Sequence, residues 1–364
     1  MSKSIQIVAF DNPNPPDYGG AIDVYYKIEA LHALGIKVDL HFFNYGKRKN
    51  IEPLTKICNA VFQYKRNMGL LAFLSAKPFI VKSRENKLLL ETLAKNPAPI
   101  LFEGLHTCAF LDHPLLKNHF KIARTHNVEH DYYRGLYKNT SNLLKRFYYW
   151  SEAKKLKSFE PILEKANIIA ALSTQDSTYF KRYQKTTYVP AFHQAYPMIS
   201  EKENYILFHG NLAVAENSNA LTALLKNVFP GVKHKVIVAG RSPSQKVSNA
   251  VAASKMVHLI PNPSQEEMTG LICRARCHIL YTNQDTGVKL KLVHAIQTSG
   301  HIVLNDAMLF DANYKAEVEV ANDWSAMVTA LNRCMEQDNV KPRPKLKALF
   351  DNKANAEKLL NSLP

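Results

Sequence analysis

The sequence predicts an α/β protein of two similar domains, each a parallel sheet with flanking helices. Short apolar runs alternate with amphipathic stretches of helix length almost throughout, which is the pattern of parallel α/β sheets. The alternation loosens once, in a polar segment with two prolines, and then resumes as a second series. A chain of 364 residues is long for one typical domain and suits two. With 46% hydrophobic and 21% charged residues, each half can bury a core, and a disordered chain is excluded.

The first series holds the strand candidates IQIVAF from Ile5, KVDLHFF from Lys37, NAVFQY from Asn59, PILFEG from Pro99, FKIART from Phe120 and NIIAALS from Asn167. Between the first two, residues 20–35 carry apolar side chains at helical spacing, and Gly35 closes the stretch as a C-cap glycine. After Tyr188 comes the loosened segment VPAFHQAYPMISEKEN. The second series reads YILFHG from Tyr205, KVIVAG from Lys235, MVHLIP from Met256, CHILYT from Cys277, HIVLND from His301 and AEVEVA from Ala316. NSNALTALLKNVF and KLKLVHAIQTS are helical patterns between these strands. The expected division is a first domain over 1–190, a linker over 191–203, a second domain over 204–344 and a terminal helix over 345–364 that packs back on the first domain.

One region breaks the rhythm. Residues 129–165 are helical in character and rich in Lys and Arg, with aromatics at Tyr132, Tyr133, Phe147, Tyr148, Tyr149 and Trp150. Two readings fit: a basic, aromatic face that touches a membrane surface, or a long helix with an aromatic core stripe and a solvated basic side. The formal charge of +16 favours polyanionic partners such as nucleotide phosphates, an anionic membrane or nucleic acid. No recognised nucleic-acid module is present, so no nucleic-acid partner is expected. The N-terminus lacks the marks of a signal peptide and no apolar run is long enough to span a bilayer, which predicts a cytoplasmic protein. The cysteines Cys58, Cys108, Cys273, Cys277 and Cys334 are odd in number and scattered, which predicts reduced thiols. Cys273 and Cys277, four apart, would share a helix face, but no second ligand pair follows, so no metal is expected.

In open parallel sheets, ligands bind beyond the carboxyl ends of the strands. The first such junction, residues 11–21, sets Gly19 and Gly20 before a helix, where a backbone can approach a ligand and helix N–H groups favour anions. The same glycines fit a proline-rich structural loop. Their spacing is not the dinucleotide pattern, so no nicotinamide or flavin cofactor is expected. A second junction packs Arg124, His126, Asn127, Glu129 and His130 at a strand end, a set that suits sugar hydroxyls or phosphates. It also fits a capped helix start with Asn127 as N-cap and Glu129 in the first turn. His106 follows another strand and could face the same place. In the second half, a strand end and a glycine turn lead into a helix predicted to begin near Val288, with Lys289 beside its free N–H groups as a phosphate cradle. Gly210 and Asn211 lie at another strand end, and Gly240 and Arg241 at a third.

The order and wording of these segments resemble glycosyltransferase family 4, of the GT-B fold, over nearly the whole chain. DYGGAIDVYYKIEALHALGIKVDLHFF is similar to that family's glycine loop and first helix, and RTHNVEHDYYRGL to a segment of one bacterial branch. ILFHGNL, VIVAGRSP and DTGVKLKLVHAIQTSGHIV resemble its donor-binding domain. The resemblance implies two Rossmann-like domains facing each other across a cleft, a nucleotide-sugar donor, retention of configuration and no catalytic metal or other cofactor. It implies that Gly19 and Gly20 approach the donor phosphates or the acceptor, and that residues 287–290, Gly287 to Leu290, bind the diphosphate through backbone N–H groups. It implies that His106 faces the transferred sugar.

Two departures stand out. Family members carry two glutamates with seven residues between them, one for the sugar and one for the ribose. Here those positions hold Thr286 and His294. Histidine can still hydrogen-bond a ribose hydroxyl, and Asp285 could serve the sugar. The family's Arg and Lys after the second domain's first strand are also missing, which leaves Arg241 and Lys289 to neutralise the diphosphate. The expected activity is sugar transfer to a lipid-linked or polysaccharide acceptor, with peripheral attachment at the inner membrane face. The alternative is a catalytically eroded relative that acts as a binding or partner subunit.

Overall fold

Every apolar run singled out in the sequence contributes a strand. The computed structural model describes residues 4–44, 46, 48–140, 142–199, 201–283 and 289–364. The chain divides into two units, one formed by Met1–Phe192 with Asp351–Pro364 and the other by His193–Phe350.

The first unit holds β1 (Ser4–Ala9), β2 (Lys37–Asn44), β3 (Ala60–Lys65), β4 (Ile100–Glu103), β5 (Lys121–Thr125), β6 (Ile168–Ala171) and β7 (Thr186–Tyr188). They form one parallel sheet in the order β3-β2-β1-β4-β5-β6-β7. Both faces are covered, as a parallel sheet requires. Ile5, Ile7 and Ala9 enter one core with Val24, Ile28 and Leu31 of the helix Gly19–Ala33, while Val8 enters another with Phe102 and Ala123. The second unit holds β8 (Glu203–Asn211), β9 (Val236–Arg241), β10 (Val257–Pro261), β11 (Ala275–Leu280), β12 (His301–Leu304) and β13 (Glu319–Val320). Its parallel order is β10-β9-β8-β11-β12-β13.

Several local expectations change. The basic aromatic region is two helices, Glu129–Asn139 and Leu143–Phe159, followed by a 3-10 stretch, Glu160–Lys165. Asn142 starts the second helix by accepting a hydrogen bond from the Lys145 N–H. The terminal stretch is also two helices, Pro344–Leu349 and Asn352–Leu360, and the second is capped by the Asp351 side chain. Ala356, Leu359 and Leu360 of that last helix enter the core that holds Val24, Ile28 and Leu31. Cys273 and Cys277 do not share a helix face, because the helix Gln265–Arg274 ends between them and Cys277 lies in β11. The helix expected near Val288 spans Leu290–Ile296. Among the described residues, no helix is long and apolar enough to cross a membrane, and all five cysteines are free.

Candidate functional site

Strand order reverses between β1 and β4 in the first unit and between β8 and β11 in the second. Loops diverge at such switch points and leave a crevice at the carboxyl ends of the strands. Most of the candidate residues stand at these two places.

In the first unit, Phe10 follows β1. Its ring lies 5.3 Å from the His106 ring and 5.6 Å from the His126 ring. Gly20 makes room for it, since a Cβ there would stand 2.4 Å from the Phe10 Cζ. Gly19 is the first residue of the same helix. His106 follows Gly104, whose φ of 69° is left-handed. A Cβ at Gly104 would also meet the His106 Nδ1 at 2.8 Å, so glycine is required twice over. The His106 Nδ1 is buried without a hydrogen-bond partner among the described residues. Burial, followed by Arg84 and His126, pushes the ring well below its ordinary range and keeps it neutral. Glu129 Oε1 lies 3.9 Å away. Burial, then Glu160 and Asp176, pushes the Glu129 carboxyl up to about 8. A carboxyl that keeps its proton at neutral pH thus sits beside a neutral imidazole whose Nδ1 is unpartnered among the described residues.

Below this pair lies a buried charge network. Arg124 is fully buried, grips both Asp23 oxygens at 2.8 Å, and donates to the Val189 and Pro190 carbonyls at 3.1 Å. Lys27 Nζ lies 2.9 Å from Asp23 and 2.5 Å from Glu103. His126 Nε2 is 2.9 Å from the other Glu103 oxygen. Burial alone would raise the Asp23 carboxyl, but Arg124 and Lys27 override it and hold it far below the usual range. Asp23, Glu103 and His126 bring ligand-type atoms within 4.8 Å of one another. Lys27 and Arg124 already supply the positive charge that a metal would bring there, so the cluster is a poor fit for an ion.

Two of the expected ligand residues, Arg124 and His130, turn inward, and one expected capping role falls to a neighbour. Arg124 is a structural tie, because its guanidinium is spent on Asp23 and two carbonyls. His130 is 4% exposed and meets Glu160, which also accepts from Tyr179 and Tyr183. Asn127 is not the N-cap; Val128 is, and the helix begins at Glu129. Arg84 was not legible as a site residue. It is 6% exposed and donates to the Phe10 and Ile80 carbonyls, at 3.0 and 2.6 Å.

In the second unit, Gly210 and Gly240 are partners across β8 and β9, and Asn211 pairs with Arg241. A Cβ at Gly240 would stand 2.0 Å from the Gly210 carbonyl oxygen. Two backbones therefore close on each other beside the switch point, with the exposed Arg241 at the strand end. Across it, Lys289 Nζ lies 3.3 Å from Glu216 Oε1 and Lys291 Nζ donates to Asn217 Oδ1 over 2.6 Å. Thr282 donates to the same Glu216 oxygen over 2.5 Å, and Asn217 donates to the Asn211 carbonyl over 2.8 Å. Burial pushes the Lys291 amine down to about 8 against the pull of Glu216. Lys291, Glu216 and Asn217 were missed in the sequence. In a helix that began at Val288, Lys289 and Lys291 would diverge. Lys289 instead precedes the helix with φ −88° and ψ 82°, so both amines reach the helix Ala215–Asn227. Leu290 opens the helix and is half-buried.

His294 lies further along that helix. Its ring stacks on His209 at 6.2 Å and an interplanar angle of 12°, with Tyr196 at 5.4 Å. Burial and then His193 push His294 down to about 3, so both stacked rings are neutral hydrogen-bonding groups. Asp285, Thr286 and Gly287 lie outside the described residues.

No family model matches the chain. It is 26% identical over 346 residues, 89% of this chain and 88% of the other, to an "Uncharacterized 44.6 kDa protein in cps region" of Klebsiella pneumoniae. Among solved structures it is similar to sucrose-phosphate synthase of Thermosynechococcus elongatus, with TM-score 0.68, 14% identity and coverage of 98% and 97% of the two chains. It is similar to Anabaena HepE in complex with UDP, with TM-score 0.69, 11% identity and coverage of 100% and 99%. It is also similar to TarM, with TM-score 0.69, 10% identity and coverage of 100% and 99%. The fold is that of the GT-B glycosyltransferases, with two Rossmann-like units.

Proposed function

We propose that this chain is a retaining, metal-independent glycosyltransferase that uses a nucleotide sugar. The second unit holds the donor and the first unit the acceptor. The observation that carries this reading is the close approach of Gly210 and Gly240 beside Lys289 and Lys291 at one switch point. A diphosphate seated there meets backbone and two amines, which take up the charge of the leaving group without a metal. His294, neutral and stacked, offers a ring nitrogen to a ribose hydroxyl. In the first unit, His106 and Glu129 serve the acceptor hydroxyl. The presence of UDP in the similar HepE structure supports a uridine nucleotide. The acceptor is a glycan or glycolipid, reached from the cytoplasm by peripheral attachment at an anionic membrane face.

Titration calorimetry with UDP in the presence of a chelator tests the reading. Binding is expected, with at least about a tenfold loss in Lys289→Ala, in line with a charge-assisted contact. Unchanged affinity removes Lys289 from the site, and no binding of any nucleoside diphosphate sinks the proposal. A second reading is a catalytically eroded binding subunit. It is favoured by the engagement of both amines by Glu216 and Asn217, and by Thr286 and His294 at the positions of two expected carboxylates. UDP binding without turnover of any UDP-sugar would mark that case.

A further inference from the structure

We propose that the first unit docks on an anionic lipid bilayer through an apolar patch formed by the start of helix Leu143–Phe159 and the neighbouring helix Leu70–Phe73. The proposal rests on the peripheral attachment put forward above and gives it a surface. Leu143, Leu144 and Phe147 are 76%, 83% and 68% exposed, and Leu70, Leu71 and Leu74 are 71%, 85% and 68% exposed. The two segments that carry them touch each other. Phe73 stacks on Tyr148 with centroids 5.7 Å apart, and Lys155 Nζ donates to the Phe73 carbonyl over 3.2 Å. Leu144 lies one helical turn before Tyr148, ~6 Å along the axis. Single exposed leucines are ordinary, but a contiguous group of this kind marks an interaction surface.

Charge selects the occupant. Residues 65–77 carry Lys65, Arg66 and Lys77 and no acid. The helix Leu143–Phe159 carries Lys145, Arg146, Lys154, Lys155 and Lys157 against a single acid, Glu152, which is buried and accepts from the Phe79 N–H over 2.7 Å. Lys77 is paired with Glu85 and Lys155 with Glu152, so the net positive charge around the apolar centre comes from Lys65, Arg66, Lys145, Arg146, Lys154 and Lys157. A second copy of this chain would meet it cation against cation. An anionic bilayer supplies the opposite charge at its surface and an acyl layer for the leucines. Trp150, 43% exposed with Lys154 Nζ 3.8 Å over its ring, suits the headgroup level. Beside it, an open hollow of about 590 Å³ is lined by Lys154 and Lys157, donors for a lipid phosphate, and by Arg134, which is paired with Asp131 at 2.8 Å.

The test is co-sedimentation of the full chain with vesicles of phosphatidylcholine, pure or mixed with phosphatidylglycerol. Wild type is expected to bind the mixed vesicles at least about tenfold more strongly, with the difference collapsing in high salt. The combined Leu71→Ser, Leu144→Ser and Phe147→Ser variant is expected to lose at least about tenfold of that binding. Its circular dichroism and UDP affinity stay as in wild type, because all three side chains are exposed and none belongs to the proposed donor site. Equal binding to both vesicle types, no binding at all, or undiminished binding by the variant overturns the proposal. So does a dimer in wild type that the variant converts to monomer. Vesicle binding without UDP binding supports this surface while overturning the transferase reading.

Discussion

The Glu129→Gln substitution should make the first unit more stable at neutral and alkaline pH, and should flatten its dependence on pH. Glu129 is 4% exposed, and its carboxyl is pushed from the ordinary 4.5 up to about 8 by burial, then by Glu160 and Asp176. In the unfolded chain the group returns to its ordinary value. Between those two values the folded chain therefore holds a proton that the unfolded chain has released. Stability must fall as pH rises across that window: the contribution is complete below the lower value and gone above the upper one. At roughly 1.4 kcal/mol per decade, the full span amounts to about 5 kcal/mol, an upper figure for a single buried carboxyl. The amide keeps the shape and cannot ionise. The assay is urea unfolding followed by circular dichroism at a series of pH values, with the variant's curve subtracted from that of wild type. The difference should open by several kcal/mol between about pH 5 and 8, in favour of the variant. A difference that stays level across this range refutes the reasoning, because the carboxyl would then titrate alike in both states.

Two further substitutions probe the supports of the switch points. Asp23→Asn leaves the buried Arg124 guanidinium and the Lys27 amine without their shared carboxylate. The expected loss is about 3–5 kcal/mol, read as a lowered urea midpoint, and an unchanged midpoint would show the network to be neutral. Gly240→Ala drives a Cβ to within 2.0 Å of the Gly210 carbonyl oxygen, where only backbone movement can relieve the clash. It should cost about 1–3 kcal/mol of stability and weaken UDP binding, and undiminished affinity by calorimetry would separate the glycine pair from the donor.

Strands were the most legible part of the sequence, because a parallel strand buried on both faces is an unbroken apolar run. β7 escaped notice for the converse reason: Thr186–Tyr188 is a short polar edge strand, half-buried throughout. Side-chain direction was much less legible. Arg124 and His126 stand two residues apart at one strand end, yet one is fully buried against Asp23 and the other is half-buried beside Phe10. Composition cannot separate them, since the distinguishing feature is Asp23, a hundred residues earlier in the chain. Lys291 was hidden by a helix start placed two residues too early, which turned its amine away from Lys289. The exposure of Leu143 and Leu144 is set by tertiary packing, which helical spacing alone does not reveal.

The first unit is interrupted in sequence by the whole of the second, and its final helix arrives only with Asp351–Pro364. During synthesis, the helix Gly19–Ala33 therefore emerges from the ribosome long before Ala356, Leu359 and Leu360 can cover its apolar side. For that interval Val24, Ile28 and Leu31 lack part of their native packing, and the second unit, whose residues are contiguous, can finish folding first. The native packing around Val24, Ile28 and Leu31 thus depends on a segment made after the whole of the second unit.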